Sequence, residues 1–265
     1  MCSSDLKHVG LNVAADPFIN SGITGANGGL IVVAADDPSM HSSQDEQDSR
    51  FFGKFALIPI LEPSNQQEAY DMVSYGYDFS EKYHIPVLMR ITTRLAHSRA
   101  GVQRKAVKAQ NSINLPSNPR QFVLLPAIAR KQYKTLLDNQ VKFEQESENS
   151  PFNKYIDGAD KKLGIIACGL AYNYLMENYP DRKVPHPVLK ISQYPVPSKM
   201  IARMVEECEQ VLILEDGQPL VEELVKGLLS KCLKIKGRLD GTLPRDGELK
   251  DRKSTRLNSS HVSQY

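Results

Sequence analysis

Leu30-Ile-Val-Val-Ala-Ala35 is a continuous apolar run of strand length, with Gly25-Ala-Asn-Gly-Gly29 before it and Asp36-Asp-Pro38 after it. An unbroken aliphatic run, without the alternation of a half-exposed strand, is typical of a strand buried on both faces of a parallel sheet. The glycine-rich segment precedes a strand rather than a helix, which indicates a tight turn and not a phosphate-binding loop. This stretch therefore predicts an α/β fold.

Two further strands and a helix complete a β–α–β unit. We predict strands at Ala56–Ile60 and Val87–Thr92, with a helix between them from its N-cap Ser64 to Tyr83. Apolar residues recur three to four positions apart along this helix, which is the spacing of a helix that packs on a sheet. The order of the elements implies a right-handed crossover.

The last third of the chain repeats the alternation of strands and helices. The predicted strands are Leu163–Ala167, Val188–Ile191, Val211–Leu214 and Leu233–Ile235. The predicted helices are Gly169–Asn178, Pro197–Cys208 and Pro219–Cys232. Four strands and three helices within about 75 residues indicate a compact doubly wound domain.

The region between the two α/β units is basic and partly irregular. No acidic residue occurs from Lys82 to Leu137. Asn111–Arg120 contains two prolines and predicts an irregular connection, whereas Ile128–Ser147 predicts a helix. We interpret this region as a linker.

Both ends of the chain resemble translated DNA-sequencing adapter. The tail Asp251-Arg-Lys-Ser-Thr-Arg-Leu-Asn-Ser-Ser-His261 matches one adapter strand, and the head Met1-Cys-Ser-Ser-Asp-Leu6 matches its reverse complement. We therefore expect residues 1–6 and 251–265 to be artefacts that pair with neither domain, and the rest to be an internal fragment of a longer subunit. The predicted units are a first α/β domain at 7–95, a basic linker with a helix at 96–160 and a second α/β domain at 161–250.

The composition excludes several classes of protein. With 41% hydrophobic and 24% charged residues and a net charge of +2, the chain is typical of globular proteins. No apolar run approaches the ~20 residues of a membrane span. Four cysteines without CxxC spacing support neither a disulfide framework nor an iron–sulfur cluster in this segment, and they favour a reducing, cytoplasmic setting. The basic linker lacks interleaved aromatic residues, so we expect no nucleic acid partner.

The polar segment Asp36–Arg50 is the first candidate site. It follows the most hydrophobic strand, and ligands of open α/β sheets bind at the carboxyl ends of strands. His41 can donate or accept a proton near neutral pH, and Arg50 can bind a carboxylate through two hydrogen bonds. The alternative is a solvated loop in which Arg50 forms a surface ion pair with Asp45 or Asp48.

Three shorter segments are weaker candidates. Lys7–Asn12 indicates a strand end that turns into a helix with Asn12 near its cap, and an ordinary capped turn is the favoured interpretation. Gly164–Gly169 lacks the full GxGxxG pattern, so a packing turn is favoured over an anion site. Glu215-Asp216 follows a predicted strand and is either functional or a loop cap.

Several motifs together resemble one enzyme family, the alpha subunits of indolepyruvate:ferredoxin oxidoreductases. The most specific are Lys7-His-Val-Gly-Leu-Asn-Val-Ala-Ala-Asp-Pro17 and Asp36-Asp-Pro-Ser-Met-His-Ser-Ser-Gln-Asp-Glu-Gln-Asp-Ser-Arg50. Further matches are Glu62-Pro-Ser, Thr93-Arg-Leu-Ala-His-Ser-Arg99, Phe122-Val-Leu-Leu-Pro-Ala127 and Leu243-Pro-Arg-Asp-Gly-Glu-Leu249. The resemblance covers essentially all of residues 7–250.

The resemblance implies a partial pyrimidine-type domain of a thiamine-diphosphate site, followed by a doubly wound domain like the C-terminal domain of transketolase. It implies oxidative decarboxylation of aryl 2-oxoacids such as indolepyruvate to acyl-coenzyme A, with ferredoxin as electron acceptor and a beta subunit as partner. Thiamine diphosphate, Mg²⁺ and 4Fe–4S clusters are the implied cofactors. Their main binding motifs in the family have no counterpart in residues 7–250, so we expect this segment alone to be inactive.

The resemblance also assigns site residues. His41 and Arg50 are the candidate catalytic residues, with Arg50 as the ligand of the substrate carboxylate. The residues expected to line the substrate and cofactor loop are Lys7, His8, Asn12, Ser42, Ser43, Gln44, Glu46 and Asp48. No metal ligand is assigned. Two other interpretations stay open, a subunit of another 2-oxoacid:ferredoxin oxidoreductase and a non-catalytic α/β binding module.

Overall fold

Strands and helices alternate along the chain in the computed structural model, which describes residues 2–112, 114–228, 234–237 and 241–243. The strands are β1 Cys2–Lys7, β2 Leu30–Asp36, β3 Ile60–Leu61, β4 Val87–Thr92, β5 Lys154–Ile156, β6 Gly164–Cys168, β7 Val188–Ile191, β8 Gln193–Tyr194, β9 Gln210–Leu214 and β10 Lys234–Lys236. The helices are α1 His8–Val13, α2 Ala15–Thr24, α3 Ser49–Ala56, α4 Gln66–Tyr83, α5 Thr93–His97, α6 Pro126–Glu148, α7 Ala171–Glu177, α8 Ser198–Glu207 and α9 Leu220–Leu228.

The first sheet has the strand order β1-β2-β4-β3-β8. Its first four strands are parallel, and β8 runs antiparallel to β3. β2 pairs with β4 along six residues, from Ile31 opposite Val87 to Asp36 opposite Thr92. The central strands are aliphatic and largely buried, as the run Leu30–Ala35 predicts. The α/β fold is therefore confirmed.

The long helix α4 covers this sheet through its apolar face, and its predicted span is nearly correct. Its N-cap is Asn65, whose side-chain oxygen accepts from the backbone N–H of Glu68 at 2.9 Å. The predicted cap, Ser64, lies one residue earlier and donates its hydroxyl to Glu68 Oε2 at 2.8 Å. Met72 and Phe79 of the helix are buried in the core.

The predicted strand Ala56–Ile60 is wrong over most of its length. Ala56 is the last residue of α3, and only Ile60 and its successor form β3. The helix begins because the side chain of Asp48 accepts from the backbone N–H of Arg50 at 3.0 Å, and it ends at Leu57 in the left-handed conformation. Because α3 extends to Ala56 and the chain turns at Leu57, the aliphatic residues before Ile60 do not join the sheet.

The segment after β1 also differs from the expectation. The helix α1 begins at His8, directly after Lys7, and includes Asn12. Asn12 therefore lies inside a helix rather than at the N-cap of one. A second helix, α2, follows and ends at Gly25 with a φ of 72°, which is the tight turn predicted before β2.

The second sheet has the order β10-β9-β6-β7-β5, with β5 antiparallel to β7 and the other strands parallel. The predicted doubly wound arrangement is confirmed, although the end of the predicted helix Pro219–Cys232 lies outside the described residues. β8 follows β7 directly but pairs with β3 of the first sheet. The chain thus joins the two sheets through one short strand.

The helix of the basic linker packs on the first domain through aromatic residues. Phe143 of α6 lies 5.8 Å from Phe79 and 5.4 Å from Tyr83, measured between ring centroids. Such tilted and edge-to-face pairs add specific geometry to apolar burial. Tyr83 also donates its hydroxyl to Glu146 Oε1 at 2.6 Å. This part of the linker is therefore a fixed element of the fold.

The expectation that residues 1–6 form no ladder is wrong. β1 pairs in parallel with β2 over six positions, from Cys2 opposite Leu30 to Lys7 opposite Ala35. The hydrogen bonds of a ladder come from the backbone, so an exposed strand edge accepts an extended segment with little regard to its side chains. Residues 251–265, for which the same expectation was made, lie outside the described residues.

Candidate functional site

The polar loop that follows β2 is folded around the carboxylate of Asp37. Its oxygens accept from the backbone N–H of His41 at 3.1 Å and of Ser42 at 2.9 Å. They also accept from the hydroxyls of Ser43 at 2.6 Å and Thr93 at 2.8 Å. Burial alone would raise the pKa of Asp37, but these four donors hold that pKa well below its usual range. Since Thr93 begins α5, Asp37 fixes the loop against the end of β4.

Other predicted loop residues lie around the same turn. Lys7 donates from Nζ to the backbone oxygen of Ser42 at 2.9 Å. Glu46 accepts from the backbone N–H of Ser39 at 3.0 Å, and Gln44 is exposed. The structure thus brings the end of β1 and the loop after β2 to one edge of the first sheet, as the parallel strand order requires.

His8 is the most unusual member of the predicted set. It begins α1 at the carboxyl end of β1, and its side chain is buried, with 1% of the residue exposed. Neither ring nitrogen has a hydrogen-bond partner within the described part of the chain. Asn12 lies one turn further along α1 and is exposed. The roles predicted for both residues in a cofactor loop stay predictions.

A cavity of about 400 Å³ opens beside the loop. Five residues line it: His41, Thr93, Arg94, His97 and Ser98. Four of these come from α5 and the residue that follows it, and His41 comes from the loop that Asp37 folds. We call this cavity the edge pocket. It contains one of the two predicted catalytic residues, His41.

The other predicted catalytic residue, Arg50, lies in a buried ion cluster rather than in the edge pocket. Its Nε donates to Asp48 Oδ1 at 2.9 Å and its Nη1 to Glu215 Oε2 at 3.0 Å. Its Nη2 donates to Asp48 Oδ2 at 2.5 Å and to the backbone oxygens of Asp216 at 3.0 Å and Gln218 at 2.8 Å. The alternative interpretation was a surface ion pair of Arg50 with Asp45 or Asp48. The partner Asp48 is correct, but the ion pair is not on the surface, because Arg50 is 0% exposed.

Arg90 is the second cation of the cluster and links the first sheet to its loops. Its Nε donates to Asp36 Oδ2 at 2.5 Å and lies 3.5 Å from Asp48 Oδ1. Its Nη1 donates to Glu62, which also accepts from the hydroxyl of Tyr194 at 2.6 Å. Asp36 and Asp48 stand at the two ends of the polar loop, so Arg90 holds both ends. We use the name ion cluster for Asp36, Asp48, Arg50, Glu62, Arg90 and Glu215.

Glu215 brings the second domain into the ion cluster and also caps a helix, which is close to the cap that was one of the two open interpretations of Glu215-Asp216. Its carboxylate accepts from the backbone N–H groups of Val221 at 3.0 Å and Glu222 at 3.1 Å, at the start of α9. The same carboxylate pairs with Arg50. The cluster therefore joins the carboxyl edge of the first sheet to a helix start of the second domain.

Burial and pairing act on the cluster carboxylates in opposite directions. Burial raises the pKa of Asp36 and of Glu215, although Arg90 and Arg50 respectively oppose this. For Asp48 burial also acts to raise the pKa, but the two guanidiniums outweigh it and lower the pKa to about 2. Asp48, which contacts both arginines, is thus held in its charged form.

The sequence reasoning missed Arg90 and Glu62. The signal was present, because Arg90 interrupts the otherwise apolar strand Val87–Thr92. A charged residue in a strand that is buried on both faces needs a partner of opposite charge inside the protein. Only the tertiary fold shows that the partners are Asp36 and Glu62.

The described part of the chain contains no group of three or more His, Cys, Asp or Glu side chains that could hold a metal ion. Cys168 and Cys208 are buried thiols. Among the described residues, no helix combines the length and the apolar character that a bilayer crossing requires.

Curated proteins of similar sequence identify the relatives of this chain. It is 46% identical over 230 residues to the indolepyruvate oxidoreductase subunit IorA of Pyrococcus abyssi, a match that covers 83% of this chain and 35% of that subunit. It is 39% identical over 246 residues to the subunit of the same name from Archaeoglobus fulgidus, covering 92% of this chain and 39% of that subunit. No protein-family model matches the chain.

Solved structures share the fold at low sequence identity. A 2-oxoglutarate:ferredoxin oxidoreductase from Magnetococcus marinus superposes with a TM-score of 0.63 at 13% identity, over 89% of this chain and 49% of that one. A split-gene transketolase superposes with a TM-score of 0.52 at 11% identity, over 89% of this chain and 65% of that one. These likenesses establish the fold alone.

Fold and sheet order place the chain in the class of α/β proteins that share the architecture of 2-oxoacid:ferredoxin oxidoreductases and transketolases. Within this class, the chain is homologous to a segment of the indolepyruvate oxidoreductase alpha subunits, at 37–46% identity over most of its length. The chain spans 35–40% of the length of these curated relatives.

Proposed function

We propose that this chain is part of the alpha subunit of an enzyme that oxidatively decarboxylates aryl 2-oxoacids, indolepyruvate above all, to acyl-coenzyme A with ferredoxin as electron acceptor. The observation that carries the proposal is the 46% identity over 230 residues to an indolepyruvate oxidoreductase subunit. The chain also has the fold of a 2-oxoglutarate:ferredoxin oxidoreductase, which the proposal requires.

Within this function, we assign the loop between Asp37 and Asp48 to the wall of the substrate site. The loop lies at the carboxyl edge of a parallel sheet, where α/β enzymes bind their ligands. It is held rigidly, by Asp37 within it and by Arg90 at its ends. His41 is its exposed imidazole and the proposed site of proton exchange.

The role of Arg50 as ligand of the substrate carboxylate stays a prediction. In the structure its guanidinium binds Asp48, Glu215 and two backbone oxygens instead. A substrate carboxylate would have to displace Asp48 or Glu215 from it. The contacts therefore support a positioning role, in which Arg50 fixes Asp48 and with it the end of the loop.

The cofactors of the reaction would be held elsewhere in the full-length subunit. The described residues do not fit the magnesium site of a bound diphosphate or an iron–sulfur cluster, because they include no group of three or more His, Cys, Asp or Glu side chains that could hold a metal ion, and the two described thiols are buried. We therefore derive no step through thiamine diphosphate or the clusters here. A beta subunit, ferredoxin and a cytoplasmic location, with which free thiols are compatible, belong to the same proposal.

A chimeric enzyme tests the proposal. The matching 230 residues of the Pyrococcus abyssi subunit are replaced by those of this chain, and the product is purified with its partner subunit. Coenzyme A-dependent reduction of ferredoxin is measured with indolepyruvate, pyruvate and 2-oxoglutarate. We expect indolepyruvate to be the best substrate, with kcat/KM within about tenfold of the parent, or ~1.4 kcal/mol in barrier height.

The unmodified parent, assayed at the same temperature, is the control. An assembled chimera that oxidises only 2-oxoglutarate or pyruvate would assign the chain to another 2-oxoacid oxidoreductase. An assembled chimera that oxidises none of the three acids would favour the non-catalytic binding module.

A further inference from the structure

Three neighbouring strands of the first sheet end at a row of buried polar side chains. They are His8, which directly follows β1, Asp36, which ends β2, and Thr92, which ends β4. Asp36 pairs with Thr92, and Lys7 pairs with Ala35, so all three residues stand at the same level of the sheet. Because adjacent strands lie ~4.8 Å apart, Asp36 has His8 on one side and Thr92 on the other. We call these three residues the polar row.

Every member of the polar row has a buried polar atom without a partner. Both ring nitrogens of His8, Oδ1 of Asp36 and Oγ1 of Thr92 form no hydrogen bond within the part of the chain that the structure describes. The three residues are only 1–5% exposed. Buried polar atoms in native proteins are almost always hydrogen-bonded, and an aliphatic side chain would fill the same space without this cost. Four such atoms at one level of the sheet therefore indicate a chemical role.

Asp36 also belongs to the ion cluster, in which negative charge exceeds positive charge. Two guanidiniums stand against four carboxylates, and all six side chains are buried. If every carboxylate were ionised, the cluster would bury two negative charges without a cation of its own, which is costly. A proton on one carboxylate lowers this cost. Burial, the largest influence, also raises the pKa of Asp36 although Arg90 opposes the rise.

The hydrogen bonds of the four carboxylates distinguish Asp36 from the other three. Both oxygens of Asp48, Glu62 and Glu215 accept hydrogen bonds. Asp36 accepts on Oδ2 from the backbone N–H of Ser49 at 2.9 Å and from its hydroxyl at 3.0 Å, whereas Oδ1 accepts nothing from the described residues. One oxygen that accepts and one that is left to donate is the arrangement that a protonated carboxyl group needs.

We propose that Asp36 carries a proton on Oδ1 in the folded chain and shares it with His8, so that the two residues form a buried acid–base pair. When the proton moves to a ring nitrogen of His8, the acid becomes a carboxylate and the imidazole becomes an imidazolium, and the net charge does not change. While the proton stays on Asp36, the Thr92 hydroxyl can accept its hydrogen bond. The other charged groups around Asp36 come from every neighbouring element and are Arg90 of β4, Asp48 and Arg50 at the start of α3, Glu62 after β3, Glu215 after β9 and Asp37 in the adjoining loop.

The role of the pair deepens the proposed function and rests on it. Asp36 immediately precedes the loop that we assign to the wall of the substrate site, and His8 begins α1 at the neighbouring strand end. Because both residues are 1% exposed, the pair exchanges a proton with the site rather than with solvent. His8 is thus the inner proton-exchanging residue of the site, and the exposed His41 is the outer one.

Amide substitutions of equal shape test the proton on Asp36. In Asp36→Asn the amide has an N–H where the acid has its O–H, and its oxygen still accepts from Ser49 and Arg90. In urea at pH 6 we expect a folded-to-unfolded ratio within about fivefold of the unchanged chain. The matched variant Asp48→Asn removes a charge that both arginines contact, and the ratio should fall by about a hundredfold or more. Equal losses in the two variants would mean that Asp36 is ionised like Asp48 and would overturn the proposal.

NMR spectra of the unchanged chain and of Asp36→Asn test the sharing with His8. At pH 6 an ordinary aspartate with a pKa of 3.8 is ionised, so a carboxyl ¹³C signal of Asp36 at the position of the free acid supports the proton, and one at the position of a carboxylate overturns it. An amide releases no proton, so the ring ¹⁵N signals of His8 should shift in Asp36→Asn. The ring signals of the exposed His84, before the amino end of β4, are the control and should stay in place. Unshifted His8 signals would contradict the pair.

The chimeric enzyme tests the catalytic role of the pair. We expect His8→Gln to lower kcat/KM for indolepyruvate by about a hundredfold and to flatten one limb of its pH profile, as the loss of an acid–base group does. The control His84→Asn, at a left-handed position that asparagine tolerates, should change kcat/KM by less than about twofold. An assembled His8→Gln enzyme with an unchanged profile would overturn this role. If the unsubstituted chimera is inactive, the proposed function fails, while the urea and NMR results still decide whether the proton is shared.

Discussion

Arg50 and Arg94 lie near the same edge of the first sheet, yet the structure gives them opposite surroundings. Arg50 is 0% exposed, and its guanidinium donates to two carboxylates and two backbone oxygens. Arg94 is exposed and lines an open pocket. Sequence position beside a strand end therefore does not decide the role of an arginine. Burial does, since the guanidinium of Arg50 is enclosed by protein acceptors, whereas that of Arg94 is in contact with solvent.

The ion cluster and the edge pocket also differ in what their charges do. The cluster has two guanidiniums against four carboxylates, and burial raises the pKa of Asp36 and Glu215. The charges of the cluster pair with one another inside the protein. These pairs connect the two domains and hold both ends of the loop. The pocket has no acidic lining residue, and its residues His41, Arg94 and His97 are exposed. The comparison predicts that substitutions in the ion cluster lower the free energy of unfolding strongly and that substitutions in the edge pocket lower it only slightly.

The largest expected effect is that of Arg90→Met. The substitution keeps an apolar stem in the strand but leaves Asp36, Asp48 and Glu62 without their shared cation in a buried place. Breaking a buried ion pair in this way costs about 3–5 kcal/mol of unfolding free energy. Urea unfolding followed by circular dichroism measures the loss, with the exposed Arg104→Met as control. A loss below about 1 kcal/mol, the range of surface pairs, would mean that the cluster is solvated.

A smaller loss is expected for Gly169→Ala, which tests the contact between the domains at the end of β6. Gly169 has a φ of 50°, and a Cβ there would lie 2.5 Å from Cγ of Glu62. Glu62 cannot retreat easily because Arg90 and Tyr194 hold its carboxylate. We expect a loss of about 2–3 kcal/mol, from the left-handed backbone and from overpacking. Gly28→Ala, whose Cβ would meet nothing within 4 Å, is the matched control, and equal stability of the two variants would contradict the contact.

The loop that shapes the edge pocket is expected to give a smaller and pH-dependent effect. The pKa of Asp37 is lower in the folded chain than the 3.8 of an ordinary aspartate, so this group stabilises the fold above about pH 4 and loses its contribution as the pH falls. Asp37→Asn should cost about 1–2 kcal/mol at pH 7, because an amide cannot accept from all four donors. The difference from the unchanged chain should shrink below pH 4. A constant difference between pH 3 and pH 7 would contradict the ionised Asp37.

Much of the architecture could be predicted because local patterns agree with the fold. The run Leu30–Ala35 is a buried strand, and the last third has the predicted alternation of strands and helices. The strand predicted at Ala56–Ile60 failed because α3 extends to Ala56 and Leu57 adopts the left-handed conformation, so only Ile60 and Leu61 join the sheet. The ladder of β1 was also missed, since it depends on a free neighbouring edge and not on its own side chains.

The candidate site was predicted only in its location. The polar loop, His41 and the end of β1 do meet at one edge of the first sheet. The partner Asp48 of Arg50 was one of the two named in the alternative interpretation, but Glu215 could not be deduced, because it is 165 residues away in the chain and only the tertiary fold brings it near. The same holds for Arg94 and His97, which become pocket residues through the fixed position of α5 against the loop.

The most direct test of this account is the free energy of unfolding of Arg50→Ala beside that of Arg94→Ala, measured in urea at pH 7 on otherwise identical chains. Both substitutions remove one guanidinium from the same edge of the first sheet. The account predicts a loss of about 3–5 kcal/mol for Arg50→Ala, which strands Asp48 and Glu215, and less than about 1 kcal/mol for Arg94→Ala. Equal losses in the two variants, or a larger one for Arg94→Ala, would contradict the division of this edge into a buried structural cluster and an open pocket.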